Sequence, residues 1–126
     1  MLERGAAIES YRDLIVWQKS MDLAVAAYEL TVRFPSDERF GMTSQIRRAG
    51  ASIPANIAEG YGRESAGAYA HHLRIAQGSL KEFETHLLLA NRVGLVEPAE
   101  ISNPLKLANE IGRMLRGLIR SIEKSA

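Results

Sequence analysis

Ser52-Ile53-Pro54-Ala55-Asn56-Ile57-Ala58-Glu59-Gly60 places a proline, an asparagine and a glutamate inside a stretch whose spacing is helical. An interior proline has no N–H and presses its ring on the carbonyl four residues back, here Gly50, at a cost of about 3 kcal/mol where nothing compensates. The residues around it sort into two stripes. Gln45, Arg48, Ser52, Asn56, Glu59 and Arg63 recur at steps of three and four. Ile46, Ala49, Ile53, Ile57 and Gly60 follow the same rhythm one position on, about 100° round the helix. This spacing predicts a helix from about Thr43 to Arg63, bent near Pro54, with one face in a dry core and another in a buried polar seam.

The same period organises the chain on either side. Upstream, Leu14, Trp17, Met21, Ala24, Tyr28 and Thr31 mark a first helix with its expected core stripe, closed by Phe34-Pro35. Downstream, Tyr69, Leu73, Ala76, Leu80, Phe83, Leu87 and Ala90 run in unbroken four-three alternation, and Gly94 supplies a C-cap just past the end. Ser102-Asn103-Pro104 reads as the N-cap and first turn of a last helix carrying Leu105, Ala108, Ile111, Leu115, Leu118 and Ile122. No strand pattern competes. Short connections force successive helices to lie antiparallel, so the expected fold class is all-α, an up-down-up-down antiparallel four-helix bundle.

A chain of 126 residues suits one domain, here 1–126, with a core over about 11–122 and residues 1–10 expected as a flexible N-terminal tail. Hydrophobic residues at 46% and charged residues at 25% are those of a globular protein. With no cysteine there is neither a disulfide nor a thiolate metal site. The N-terminus carries no apolar run of signal-peptide length and no stretch suits a membrane span, so the expected location is cytoplasmic. A formal charge of +1 excludes a uniformly polycationic nucleic-acid binder. Arg113, Arg116, Arg120 and Lys124 nevertheless share one helical face. That stripe serves either the negative end of the helix dipole or an anionic partner.

Apolar residues exceed what four single stripes require. Ile15, Leu23, Leu30 and Phe34 form a second set on the first helix, and Leu107, Met114 and Leu118 another on the last. Exposed apolar area of that extent marks an interface, here expected between copies of the chain; a wide core stripe is the competing reading.

Asp13-Leu14-Ile15-Val16-Trp17-Gln18-Lys19, Phe34-Pro35, Thr43-Ser44-Gln45-Ile46-Arg47-Arg48-Ala49, Ser52 through Gly60, and Ile75-Ala76-Gln77-Gly78-Ser79-Leu80-Lys81-Glu82 together resemble the bacterial four helix bundle protein family, also called the 23S ribosomal RNA intervening-sequence protein family. The resemblance covers roughly residues 11 to 122. It implies a four-helix bundle and, through relatives such as the accessory protein of diversity-generating retroelements, a pentameric ring. For that accessory protein it also implies contact with nucleic acid and a reverse transcriptase through a basic surface.

The seam has its own physical reading. His72, Ser79, Glu82 and His86 form a polar stripe on the third helix that mirrors the one on the second. Gln45, Arg48, Ser52, Asn56, Glu59, Ser79 and Glu82 are the expected members, with Arg48 paired to Glu82 or Glu59. Such a network sets register, because an unpaired buried charge costs several kcal/mol.

Catalysis finds little support in these residues. Glu-x-x-His metal motifs, His-Glu-x-x-His, a phosphate loop and a nucleophile triad are all missing from the sequence. The reading is a non-enzymatic homo-oligomer without a cofactor, expected as a pentamer, that binds RNA or a nucleic-acid-processing partner. The candidate contacts are Arg113, Arg116, Arg120, Lys124, Arg47, Arg63 and Arg74. The alternative is an oligomeric protein-binding scaffold whose apolar grooves take a partner helix.

Overall fold

The computed structural model describes residues 7–125. Within them four helices follow one another: α1 (Ile15–Thr31), α2 (Met42–Tyr61), α3 (Ala66–Arg92) and α4 (Pro98–Ser125), with 3-10 turns at Tyr11–Asp13 and Ser36–Glu38. There is no strand among the described residues. Each helix packs on its neighbours in chain order and α1 closes on α4.

Cross-helix contacts give the relative directions. Thr31 of α1 meets Arg47 of α2, whereas Ala27 lies against Gly50, so that pair runs in opposite senses. Ser52 meets Ser79 and Asn56 meets His72, which orients α3 against α2. Lys19 reaches Glu110 and Arg33 reaches Glu100, giving the same antiparallel arrangement of α1 and α4.

Ile46, Ala49, Ile53, Ile57 and Gly60 of α2 are all buried, as their spacing requires. They face Leu73, Ala76, Leu80, Phe83, Leu87 and Ala90 of α3. The helix is continuous through Pro54. Gly50, the residue whose carbonyl opposes the proline ring, is closely packed: an added Cβ would sit 3.3 Å from Ala27 Cβ and 3.4 Å from Phe83. The glycine thus serves helix packing at the level of the proline.

α1 corrects the sequence expectation. Its buried row is Val16, Ser20, Leu23, Ala27, Leu30 and Thr31, not the row through Trp17, Met21 and Tyr28. Leu23 and Leu30, assigned from sequence to a second surface, are core. Ser20 and Ala27 made the true core row look less apolar than its neighbour. Burial of Ser20 is tolerated because its hydroxyl donates to the Val16 carbonyl at 2.7 Å. Thr31 donates to the Ala27 carbonyl at the same distance.

α4 begins at Pro98, before the expected Ser102 cap. The start signal is Glu97-Pro98-Ala99-Glu100, in which the Glu97 N–H donates to the Glu100 carboxylate at 2.8 Å and proline takes the first helical position. Between α3 and α4, Gly94 has φ +85° and Leu95 N–H returns to the Ala90 carbonyl at 2.9 Å. A left-handed residue followed by that long backward bond is how glycine closes a helix. Of the expected N-terminal tail, residues 1–6 lie outside the described residues; the Glu9 and Ser10 N–H groups are held by Asp13 at 2.8 and 3.1 Å.

Candidate nucleic-acid interface

The polar seam between α2 and α3 is shorter than the sequence spacing suggested. Ser52 Oγ lies 2.8 Å from Ser79 Oγ. Asn56 Nδ2 donates to the Ser52 carbonyl at 2.9 Å and its Oδ1 lies 3.3 Å from His72 Nδ1. Gln45, Ser52, Asn56 and Ser79 are half-buried. Arg48, Glu59 and Glu82 are exposed on the single chain, and Arg48 pairs with neither carboxylate. Glu59 instead takes Arg63 at 2.7 Å, one turn on. The physical reason is the desolvation of charge: small hydroxyls and an amide bridge two closely packed helices, while the longer ionic side chains of the same stripe stay in water. Tyr69, beside this seam, has its phenol pKa raised, first by burial and then by the neighbouring Tyr61.

The candidate cations divide in the same way. Arg47 donates to Thr31 Oγ1 at 2.8 Å and stacks 4.5 Å from the Tyr28 ring centroid, so it is committed to α1. Arg63 is held by Glu59. Arg74 of α3 is likewise paired, with Glu123, but it converges with Arg116 and Arg120 of α4, and Gln77 adds to the lining of a polar hollow of about 290 Å³. An adjoining hollow of about 400 Å³ shares Arg74, Gln77 and Arg116 and adds Gly78, Lys81 and Gly112. Arg113 and Lys124 are exposed on α4 outside both hollows.

The two hollows form a basic groove along the α3–α4 junction. Among the described residues lining it, Glu123 is the only acid, pairing Arg74 at 2.7 Å. Lys81 pairs with Glu84 at 3.0 Å, one turn on along α3. No aromatic side chain among the described residues lines either hollow. Periodicity revealed the α4 arginines, but it did not join Gln77, Lys81 and Glu123 to them, because these become neighbours only when α3 and α4 pack. One signal was available in the sequence: Gly78 in the middle of a helix, where glycine is costly.

A second, apolar groove of about 510 Å³ opens between α1 and α2. Its walls include Trp17, Met21, Val25 and Tyr28 on one side and Ala51, Pro54, Ala55 and Ala58 on the other. Three of these α1 residues, Trp17, Met21 and Tyr28, are those that sequence reasoning had placed in the core. Met21, Val25 and Tyr28 are 40%, 53% and 51% exposed. On α4, Met114 and Leu118 are half-buried and share a hollow with Leu14, Ile15 and Val16, so that expected surface set is partly covered.

Among the described residues no three His, Cys, Asp or Glu side chains gather to hold a metal. Glu82 and His86 stand 3.9 Å apart as an isolated pair. No helix among them is long and apolar enough to cross a membrane.

This arrangement defines an all-α four-helix bundle that carries a basic groove and an apolar groove. A family model described as 23S rRNA-intervening sequence protein matches residues 12–117. The chain belongs to that family. It is also similar to a crystal structure from Bacteroides thetaiotaomicron, titled as a protein with unknown function from the S23 ribosomal protein family, at 30% identity and a TM-score of 0.75. That match covers 83% of this chain and 98% of the other. A comparison with curated proteins gives no match.

Proposed function

We propose that this protein is a non-enzymatic homo-oligomer, pentameric as the family resemblance implies, that presents several copies of the α3–α4 groove to the phosphate backbone of RNA. The convergence of Arg74, Arg116 and Arg120 in one groove carries this reading. Three guanidiniums offer bidentate donors that match phosphate oxygens. On one chain they make a weak site, given the net charge of +1. Repetition around a symmetry axis raises the effective concentration of sites and the local potential together.

The α1–α2 groove supports the self-association. A row of large apolar side chains beside a row of alanines is a surface for a second helix layer, and the outer side of α3 carries a separate exposed apolar patch in Leu88, Leu89 and, at the helix end, Val93. A groove on one face and a projecting row on another permit head-to-tail association, which closes into a ring when the rotation allows.

The test is charge reversal at Arg116 and Arg120, followed by RNA binding at several salt concentrations and by light scattering. The R116E/R120E variant should bind more weakly, with the salt slope reduced by about one for each phosphate no longer engaged, and should keep its assembly state. Unchanged RNA binding removes the assigned surface.

The same apolar groove also favours the scaffold reading, in which the partner is an amphipathic helix of another protein. Absence of RNA retention by the wild-type protein at low salt, with a partner protein bound at the groove, selects that alternative.

A further inference from the structure

We propose that the α3–α4 groove takes the sugar–phosphate backbone of double-stranded RNA, with the bare backbone of Gly78 as its floor and with Glu123 occupying it in the free protein. This rests on the RNA reading above and specifies both the form of RNA and the control of the site.

The ligand class follows from what lines the groove. Arg74, Arg116, Arg120 and Lys81 supply cations, and Gln77 supplies an amide able to give and accept hydrogen bonds. Proteins hold single-stranded RNA by stacking its unpaired bases on aromatic rings, and the described lining of this groove has none. Duplex RNA instead presents phosphates and 2′-hydroxyls with its bases turned inward, and is recognised by shape and backbone contacts. Arginines suit the phosphates, and the Gln77 amide suits a 2′-hydroxyl, the group that separates RNA from DNA.

Gly78 is the second observation. It sits within α3, twelve residues after that helix begins and far from either end. A Cβ built there meets nothing within 4 Å, so no packing contact requires glycine. Gly112, across the same groove, differs in being buried, with an added Cβ at ordinary contact distance, 3.4 Å, from Leu80 Cδ2. A helical glycine without a packing role, on the floor of a basic groove, leaves room for a ligand to approach the backbone.

Glu123 explains how the groove is occupied without RNA. Its carboxylate holds Arg74 at 2.7 Å, in the position where a phosphate oxygen would compete for the same guanidinium. Both side chains are about half exposed, at 52% and 48%, so the pair is open to exchange with an incoming anion.

The experiment measures affinity for a blunt RNA duplex of about two helical turns, against poly(U) and a DNA duplex of equal length, at low and moderate salt. Glu123→Gln should tighten duplex binding about two- to fivefold, the range that removal of one exposed competing ion pair allows. Glu110→Gln is the control, since it makes the same change in net charge where the carboxylate pairs Lys19 on the α1 side. Gly78→Leu should weaken duplex binding severalfold while raising the melting temperature, a combination that misfolding does not produce. Equal tightening by E123Q and E110Q, unchanged binding by G78L, or poly(U) bound as well as the duplex overturns the proposal. If R116E/R120E still weakens RNA binding in those cases, the broader reading survives; if wild-type protein and E123Q both fail to bind any RNA, both fall.

Discussion

Gly60 of α2 lies so close to α3 that a Cβ added to it would stand 2.8 Å from the Cβ of His72 and 3.2 Å from the Tyr69 carbonyl oxygen. Neither atom is the free end of a flexible side chain, so the helices would have to separate. Gly60→Ala should therefore destabilise the protein by about 1–3 kcal/mol, although alanine is the better helix former. A fall in the urea midpoint without a change in slope is the expected result.

The Ser52–Ser79 bridge is a partner effect. Removing the Ser52 hydroxyl leaves that of Ser79 half-buried without its partner, and removing the Ser79 hydroxyl leaves Ser52 Oγ with only the Asn56 amide at 3.1 Å, whereas removing both leaves small apolar surfaces facing each other. Each single alanine variant should cost about 0.5–1.5 kcal/mol, and the double variant less than the sum. A double-mutant cycle by chemical denaturation measures the coupling; strict additivity would show that the two hydroxyls act independently.

Glu100 links the α1 end to the α4 start. The Glu97 backbone N–H, first, and Arg33, second, hold its carboxyl below the ordinary carboxylate value. A lowered folded-state value contributes stability above the unfolded value and loses it as pH falls through the folded one. Thermal melts from neutral pH into the acid range should show a smaller acid-side loss for Glu100→Gln than for wild type. Identical pH profiles would assign the acid sensitivity to other groups.

Val25 stands 53% exposed at the mouth of the apolar groove. If the chain assembles as proposed, Val25→Asp should dissociate that assembly while leaving the melting temperature of the single bundle nearly unchanged, because surface changes away from the core cost within about 0.5 kcal/mol. Light scattering gives the mass. RNA affinity should fall with it, since the grooves then act singly.

Gly78→Ala should stabilise the protein. The added methyl meets nothing within 4 Å, so the helix should gain up to about 1 kcal/mol. A higher denaturation midpoint is the expected outcome; a lower one would show a hidden packing role.

Particular residues show why some features were legible in sequence and others were not. The α3 row from Leu73 to Ala90 keeps an unbroken apolar period, and every member is buried. On α1 two apolar rows competed, and the larger residues, Trp17, Met21 and Tyr28, drew the assignment away from Val16, Ser20, Leu23 and Ala27. Hydrophobicity summed along a stripe cannot see that Ser20 satisfies its hydroxyl on Val16 and fits where helices approach. Trp17, Met21 and Tyr28, whose spacing points to the core, instead line the open α1–α2 groove. Among the cations, Arg116 and Arg120 were visible as a stripe, but their convergence with Arg74 and Lys81 was not.

Local periodicity and turn chemistry determined the number of helices, their approximate limits and most of the core, because those properties repeat along the chain at the helical period. The choice of which α1 face turns inward, the outward swing of Arg48, Glu59 and Glu82, and the basic groove were decided only by packing. They depend on distances between helices, and residues such as Arg74 and Glu123 have no relation until α3 and α4 lie side by side.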